Sequence, residues 1–309
     1  MLTGIFYKIA SAFCFTVMAG LIRWIGHDVP TGQIVAARSF FALLPILLWL
    51  GLSGELPRAF RTPRPFGHFL RASIGVASMF CLFLGLARLS LPESTMISYA
   101  VPLFTTILAT VVLREPLRLP RLVAVFVGLA GVCIVLWPHV AGGKLAEMLD
   151  GRGGEASAGA LFALTGAVLT SCAMIQVRRL VQTESTGTVV FYFSTFSTLF
   201  ALLTFPFGWV VPDLPHALAL LATGIAGGIG QILLTQGYRY AEASVIAPFE
   251  YTTLIWALAI GWLAFGDLLD IYGLVGGLVV VASGVLVILY ERRLGIERAK
   301  ARRAEPPPV

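Results

Sequence analysis

The chain has 309 residues, of which 58% are hydrophobic and only 12% charged, against roughly 45–50% and 25% in soluble domains. Two soluble cores could not hide that apolar excess, so soluble enzyme and binding-module classes are excluded and a membrane protein is expected. The formal net charge of +6 is distributed in a way that orients the chain in a bilayer, and no nucleic-acid partner is expected.

A membrane-crossing helix needs roughly 20 mostly apolar residues. Ten such runs are expected. The first five are Ile5–Ile25, Gln33–Leu52, Phe69–Leu89, Glu93–Leu113 and Leu122–Trp137. The second five are Ser157–Val177, Thr188–Val210, Ala217–Tyr238, Ala243–Phe265 and Ile271–Tyr290. Each run is too long for a barrel strand of about 9–11 residues, so the expected class is an all-α polytopic membrane protein. Met1–Trp24 lacks a basic start and is long enough to span, which predicts a retained helix rather than a cleaved signal peptide.

Lys and Arg set the orientation. With the N-terminus inside, only Arg23, Arg88, Lys144 and Arg152 fall outside, and Arg38 lies within a span. Lys8 and Arg71 read as inner helix ends, and both termini are expected in the cytoplasm. The expected organisation is a first repeat over 1–140, a periplasmic linker over 141–156, a second repeat over 157–291 and a basic, disordered cytoplasmic tail over 292–309. Cys14, Cys81, Cys133 and Cys172 lie in apolar runs without C-x-x-C spacing and are expected to pack as buried thiols.

The chain repeats itself. LPESTMISYAVPLFTTIL followed by Arg114-Glu115-Pro116 and GLAGVCIVL matches AEASVIAPFEYTTLIWAL followed by Gly266-Asp267 and ASGVLVIL. Five spans per half is an odd number, so the halves lie in opposite orientations. Inverted repeats of this kind typify secondary transporters, with a solute site between the halves.

Pro102–Pro138 (PLFTTILATVVLREPLRLPRLVAVFVGLAGVCIVLWP) and Ala247–Asp267 (APFEYTTLIWALAIGWLAFGD) carry a family likeness. Through them the chain resembles the EamA family of the drug/metabolite transporter superfamily, over essentially Ile5–Arg293. A finer resemblance, through RPFGHFLR at Arg64–Arg71, Thr183–Ser185 and Ala247–Tyr251, is to bacterial S-adenosylmethionine-uptake-type transporters. Gly266-Asp267 departs from the family pattern, which more often has Gly-Glu followed by proline. The resemblance implies ten helices in two inverted five-helix repeats, a bacterial inner-membrane location and a small-molecule solute as partner.

Glu250 is the first candidate residue. An ionisable group within a span is costly and faces a cavity or a partner. Pro248 removes a backbone donor two residues earlier and predicts a helix break there, as Pro102 does in the first half. Glu250 contacts a cationic solute group, takes up a coupling proton, or forms a permanent salt bridge with a neighbouring helix. Arg38 is the natural counter-charge to Glu250, though the two enter from opposite sides and need not pair. It is either an anion contact, for instance to a carboxylate held by its planar fork, or packs with a fixed bridge or headgroup contact. Gln231 and Gln236 follow a glycine run, and Tyr99, Tyr192, Tyr251 and Trp256 either stack on a solute or fill space. Glu115 and Asp267 end the fourth and ninth spans. They gate by pairing with loop arginines such as Arg114 or Arg118, or are hydrated loop residues.

His68 and His139 flank spans and are expected at the interface. Gly128/Gly131 and Gly273/Gly277 read as packing faces, with a homodimer contact as one reading. No G-x-x-x-x-G-K-[ST], H-E-x-x-H or G-x-S-x-G is present, so no nucleotide drive, cofactor or metal is expected, and the chain is not expected to be an enzyme. The leading expectation is a secondary transporter of a small organic metabolite. S-adenosylmethionine-like or other amine- or amino-acid-bearing solutes come first, with proton coupling. An exporter or a riboflavin-type vitamin transporter of the same fold is the alternative; a membrane-embedded enzyme or lipid flippase is the alternative of another class.

Overall fold

A computed structural model describes residues 2–112, 119–141, 154–180, 183–240, 249 and 251–304, and these residues are helical with short connections and no strands. The helices are α1 Leu2–Ile25, α2 Thr31–Leu52, α3 Leu56–Ala59, α4 Pro65–Leu86, α5 Leu91–Ser98, α6 Ala100–Val112, α7 Leu119–Val140, α8 Glu155–Leu180, α9 Thr186–Leu202, α10 Leu214–Tyr240, α11 Thr252–Ile260 and α12 Ile271–Ala304. A 3₁₀ turn covers Phe205–Phe207 and a π-turn, Gly261–Phe265, continues α11. Among the described residues six helices are long and apolar enough to cross a bilayer.

The outer surface of the bundle is apolar as well as its core. On α2, Phe40, Leu44 and Leu48 are 54, 54 and 64% exposed, four residues apart and therefore on one face. A stripe like this would aggregate in water and is what hydrocarbon requires. The same logic corrects the expectation for the thiols: all four cysteines are free, none is fully buried, and Cys133 is exposed. An apolar exterior accepts a small hydrophobe as readily as the core does.

α1 packs on α10, α4 on α8, α7 on α12, and α2 on both α9 and α10. Glycines let these backbones approach. A Cβ at Gly224 would lie 2.3 Å from Phe41 Cβ, and one at Gly228 would lie 2.5 Å from the Pro45 ring and 2.9 Å from the Ala42 carbonyl oxygen. Gly224 and Gly228 therefore form the small-x-x-x-small face of α10 toward α2. Between α7 and α12, a Cβ at Gly131 would lie 2.9 Å from the Gly276 carbonyl oxygen, while Gly128 faces Leu103 and Ser283. Gly277 faces Met96, and Gly273 faces Asp270 of its own turn. These glycines are used for close approach within the chain.

The expected fourth span is divided. α5 ends at Ser98 and α6 begins at Ala100, with Tyr99 between them. Pro102, exposed on α6, lacks the N–H that would bond the Ser98 carbonyl, which accounts for the interruption. Pro248, Glu250 and Glu115 lie outside the described residues. α12 continues past Tyr290 into the basic segment as far as Ala304.

Candidate functional site

At the end of the bundle where α1 finishes and α5 begins, charged side chains tie the helices together. Gly266, at φ 69°, takes the left-handed conformation that closes the π-turn and brings Asp267 back over the bundle. Asp267 forms a two-point ion pair with Arg23, and one of its contacts, Arg23 Nη2 to Asp267 Oδ1, measures 2.9 Å. The same carboxylate accepts the Leu91 N–H at 3.1 Å, one of the donors left free at the start of α5. The Arg23 guanidinium lies 4.4 Å from the centre of the Phe265 ring. Asp267 thus pairs with a helix arginine from the other half of the chain.

Next to it, Ser90 caps α5 in a capping box with Glu93, and His139 Nε2 lies 3.4 Å from Glu93 Oε1. The Gln33 side-chain amide exchanges two hydrogen bonds with the Val210 backbone, at 2.9 and 3.1 Å. His216 joins Asp213 and Asp28 and stacks on Trp24 with ring centroids 5.6 Å apart. Four separate polar links therefore gather at this end.

At the opposite end, His68 is fully buried, stacked 4.8 Å from Tyr192 and with Nε2 3.5 Å from Glu184 Oε1. Thr62 donates a hydrogen bond to the same Glu184 oxygen, and Tyr192 donates its hydroxyl to the Phe60 carbonyl at 3.0 Å. Ser185 caps α9 by accepting the Thr188 N–H. Both histidines, His68 here and His139 at the other end, are thus buried beside carboxylates at the ends of the bundle.

In the middle of the bundle, Arg38 is buried at 8% exposure, and its Nε has no hydrogen-bond partner. Arg71 is no helix end. α4 starts at Pro65, so Arg71 is nearly two turns inside, with Nε and Nη1 buried and unpartnered. Its guanidinium sits 3.4 Å from the centre of the Phe193 ring, and that of Arg38 lies 6.0 Å from the same ring.

The other expected residues are dispersed. Tyr99 and Tyr251 meet edge to face at 5.2 Å, with the Tyr99 hydroxyl 3.5 Å from the Tyr251 carbonyl. They belong to the cluster around Leu103, Val132 and Val280. Trp256 sits edge-on to Phe13 at 5.1 Å, with its Nε1 buried and unpartnered. Gln231 and Gln236 are half-buried on α10; Gln231 lies one turn beyond Gly227, whose Cβ position faces Arg38. A cavity of about 360 Å³ between α1 and α11 is lined by apolar side chains such as Val17, Leu21, Trp24 and Phe265. It lies away from the arginine pair, and no charged side chain lines it. Arg71 and Phe193 are the residues sequence reading missed.

The family model for the EamA-like transporter family matches residues 2–137 and 157–290. The chain belongs to the EamA-like transporter family. A protein of Rickettsia conorii named S-adenosylmethionine uptake transporter is 25% identical over 297 residues, covering 94% of each chain. The pseudopaline exporter CntI of Pseudomonas aeruginosa is 25% identical over 284 residues, covering 91% of this chain and 94% of the exporter. A transporter of Helicobacter pylori without assigned cargo is 25% identical, covering 94% and 95%. A solved crystal structure, 20% identical, superimposes with a TM-score of 0.65 over 95% of this chain and 99% of the other, and shows the same fold. With its apolar helices, this EamA-like chain is a multi-pass membrane protein of a transporter family.

Proposed function

We propose that the chain is a secondary transporter that moves a small amine- or amino-acid-bearing metabolite by alternating access between two inverted halves, residues 1–140 and 157–291. Ten spans are counted by adding to the six long helices the four shorter apolar ones, Val123–His139, Thr186–Leu202, Thr252–Phe265 and Ile271–Leu286.

The observation that carries this reading is the pattern of helix pairing. Exchanging each span of one half for its counterpart in the other turns the α1–α10 contact into α8–α4 and the α2–α10 contact into α9–α4. It also turns α1–α11 into α8–α6 and leaves α2–α9, α7–α12 and α5–α11 unchanged, and all these pairs are in contact. Two halves related in this way rock about a shared centre, which is where the buried arginines lie. The closed end formed by Arg23, Asp267, Glu93 and Gln33 is then the periplasmic gate in its shut state, and both termini are cytoplasmic in the bacterial inner membrane.

Glu250 supplies the state-dependent interaction that any coupled cycle requires, by taking up a proton or a cationic group of the cargo. Relatives named for uptake and for export leave direction to the coupling gradient, so both directions belong to the reading.

The test is counterflow into proteoliposomes preloaded with S-adenosylmethionine, glutamate, lysine, riboflavin or spermidine. Saturable accumulation of one of them, lost or made pH-independent in Glu250→Gln, supports the reading. No counterflow together with movement of labelled lipid between leaflets would place the chain with flippases.

A further inference from the structure

We propose that Arg38 and Arg71, gathered at Phe193, form an oxyanion-binding site at the centre of the bundle, and that the cargo it takes is a solute carrying a carboxylate. The proposal rests on the transporter reading only for the word cargo; the site itself follows from the arginines.

Arg38 is the eighth residue of α2 and Arg71 the seventh of α4. At 1.5 Å per residue each lies about 10 Å from the start of its helix. The two helices run in opposite directions, so the arginines approach the middle from opposite faces. Their guanidinium carbons lie 6.0 and 3.4 Å from the centre of one ring, Phe193 of α9, so their separation is less than the sum of those distances.

Space for both groups is provided by glycine. A Cβ at Gly75 would lie 2.5 Å from Arg71 Nη1 and 2.7 Å from Phe193 Cε2, and one at Gly227 would lie 3.3 Å from Arg38 Nε. Ser197 adds a hydroxyl that is buried without a partner. Ser197 follows Phe193 by one helical turn and shares its face.

What is missing among the described residues is a counter-charge. Neither arginine forms a hydrogen bond or an ion pair there. Among the described residues, Glu184 before α9 is engaged by His68 and Thr62, and Glu155 of α8 is exposed at the start of its helix. Two like charges in a low-dielectric interior are costly unless an anion joins them. Their rings of donors suit a carboxylate or phosphoryl group, which a guanidinium fork grips at two points. A lipid headgroup carries the same chemistry, yet headgroups sit at the faces, about 10 Å from either arginine by the same count; a soluble anion fits the depth.

The experiment measures thermal stability of the full chain in nanodiscs with glutamate, succinate, citrate and inorganic phosphate, with putrescine as the cationic control. Nanodiscs of zwitterionic lipid alone are compared with discs containing phosphatidylglycerol. The wild type is expected to gain stability from at least one carboxylate and none from putrescine. Arg38→Gln and Arg71→Gln each lose affinity at least tenfold, and Arg38→Lys, which keeps the charge and loses the fork, falls between. Gly75→Ala displaces the Arg71 guanidinium and lowers affinity without removing a charge, so a result does not hang on one unfolded variant.

Equal response of wild type and the Arg38→Gln/Arg71→Gln double variant to every anion, or no response in either, overturns the site. A response to phosphatidylglycerol or phosphate alone overturns the carboxylate cargo. Binding without counterflow keeps the site and rejects transport; counterflow unaffected by the double variant does the reverse.

Discussion

Arg23 and Asp267 stand 244 positions apart in sequence and meet as a two-point ion pair at the end of the bundle where α1 finishes. Asp267 also holds the first free N–H of α5 at Leu91. One carboxylate therefore fixes α1, the α11–α12 turn and the divided α5–α6 helix together. Asp267→Asn is expected to lower stability by about 2 kcal/mol, less than for a fully buried pair because Arg23 keeps some exposure. A double-mutant cycle with Arg23→Met on thermal unfolding checks this. Strictly additive losses would show that the two residues act separately.

Gly228 sits against Pro45 and Ala42 of α2. Gly228→Leu forces the two helices apart and is expected to cost about 1–3 kcal/mol, seen as a lower melting point and loss of a monodisperse peak. Gly51→Leu, where a Cβ meets nothing within 4 Å, is the control and should change little. Equal behaviour of the two variants would reject close α2–α10 packing.

Glu184 receives the Thr62 hydroxyl and lies beside buried His68. Glu184→Ala leaves these groups without their acceptor, a loss of about 1–3 kcal/mol. Thr62→Val in the Glu184→Ala background should then cost little more. A further full-sized loss in the double variant would contradict the shared contact.

Asp213 has its carboxyl held below the usual carboxylate range by hydrogen bonds from the His216 side chain and backbone N–H. A lowered folded-state value means the contribution is complete above the ordinary carboxylate range and disappears as pH falls through the folded value. Asp213→Asn should therefore lower stability slightly at neutral pH, leave it nearly unchanged below the folded-state value, and so flatten the acid limb of the profile. An unaltered acid limb would remove Asp213 from that transition.

Run length and the spread of basic residues were enough to read a helical membrane protein. Arg38 stood out because a charge inside an apolar run has no other explanation than a partner or a site. Arg71 did not, because the third run was read from Phe69, which left Arg71 at its edge. Pro65 at the first helical position, a favoured helix start, would have moved it nearly two turns inward. Phe193 is one of 21 phenylalanines, and nothing local distinguishes the ring that two guanidinium groups share. The partner of Asp267 was equally hidden, since Arg23 reads as an outer-facing end and pairing across halves leaves no local signature.

The Leu91–Asp267 bond also bears on the order of assembly. Its acceptor is synthesised 176 residues after its donor, and at about 5–20 residues per second that interval is roughly 10–35 seconds. Throughout it α1 and the start of α5 are already available to the membrane, with Arg23 lacking its carboxylate. The first half must wait, incompletely closed, in the company of the insertion machinery. A ribosome stalled before codon 267 would expose that waiting form, and the last turn of α11 would act as the clasp that ends it.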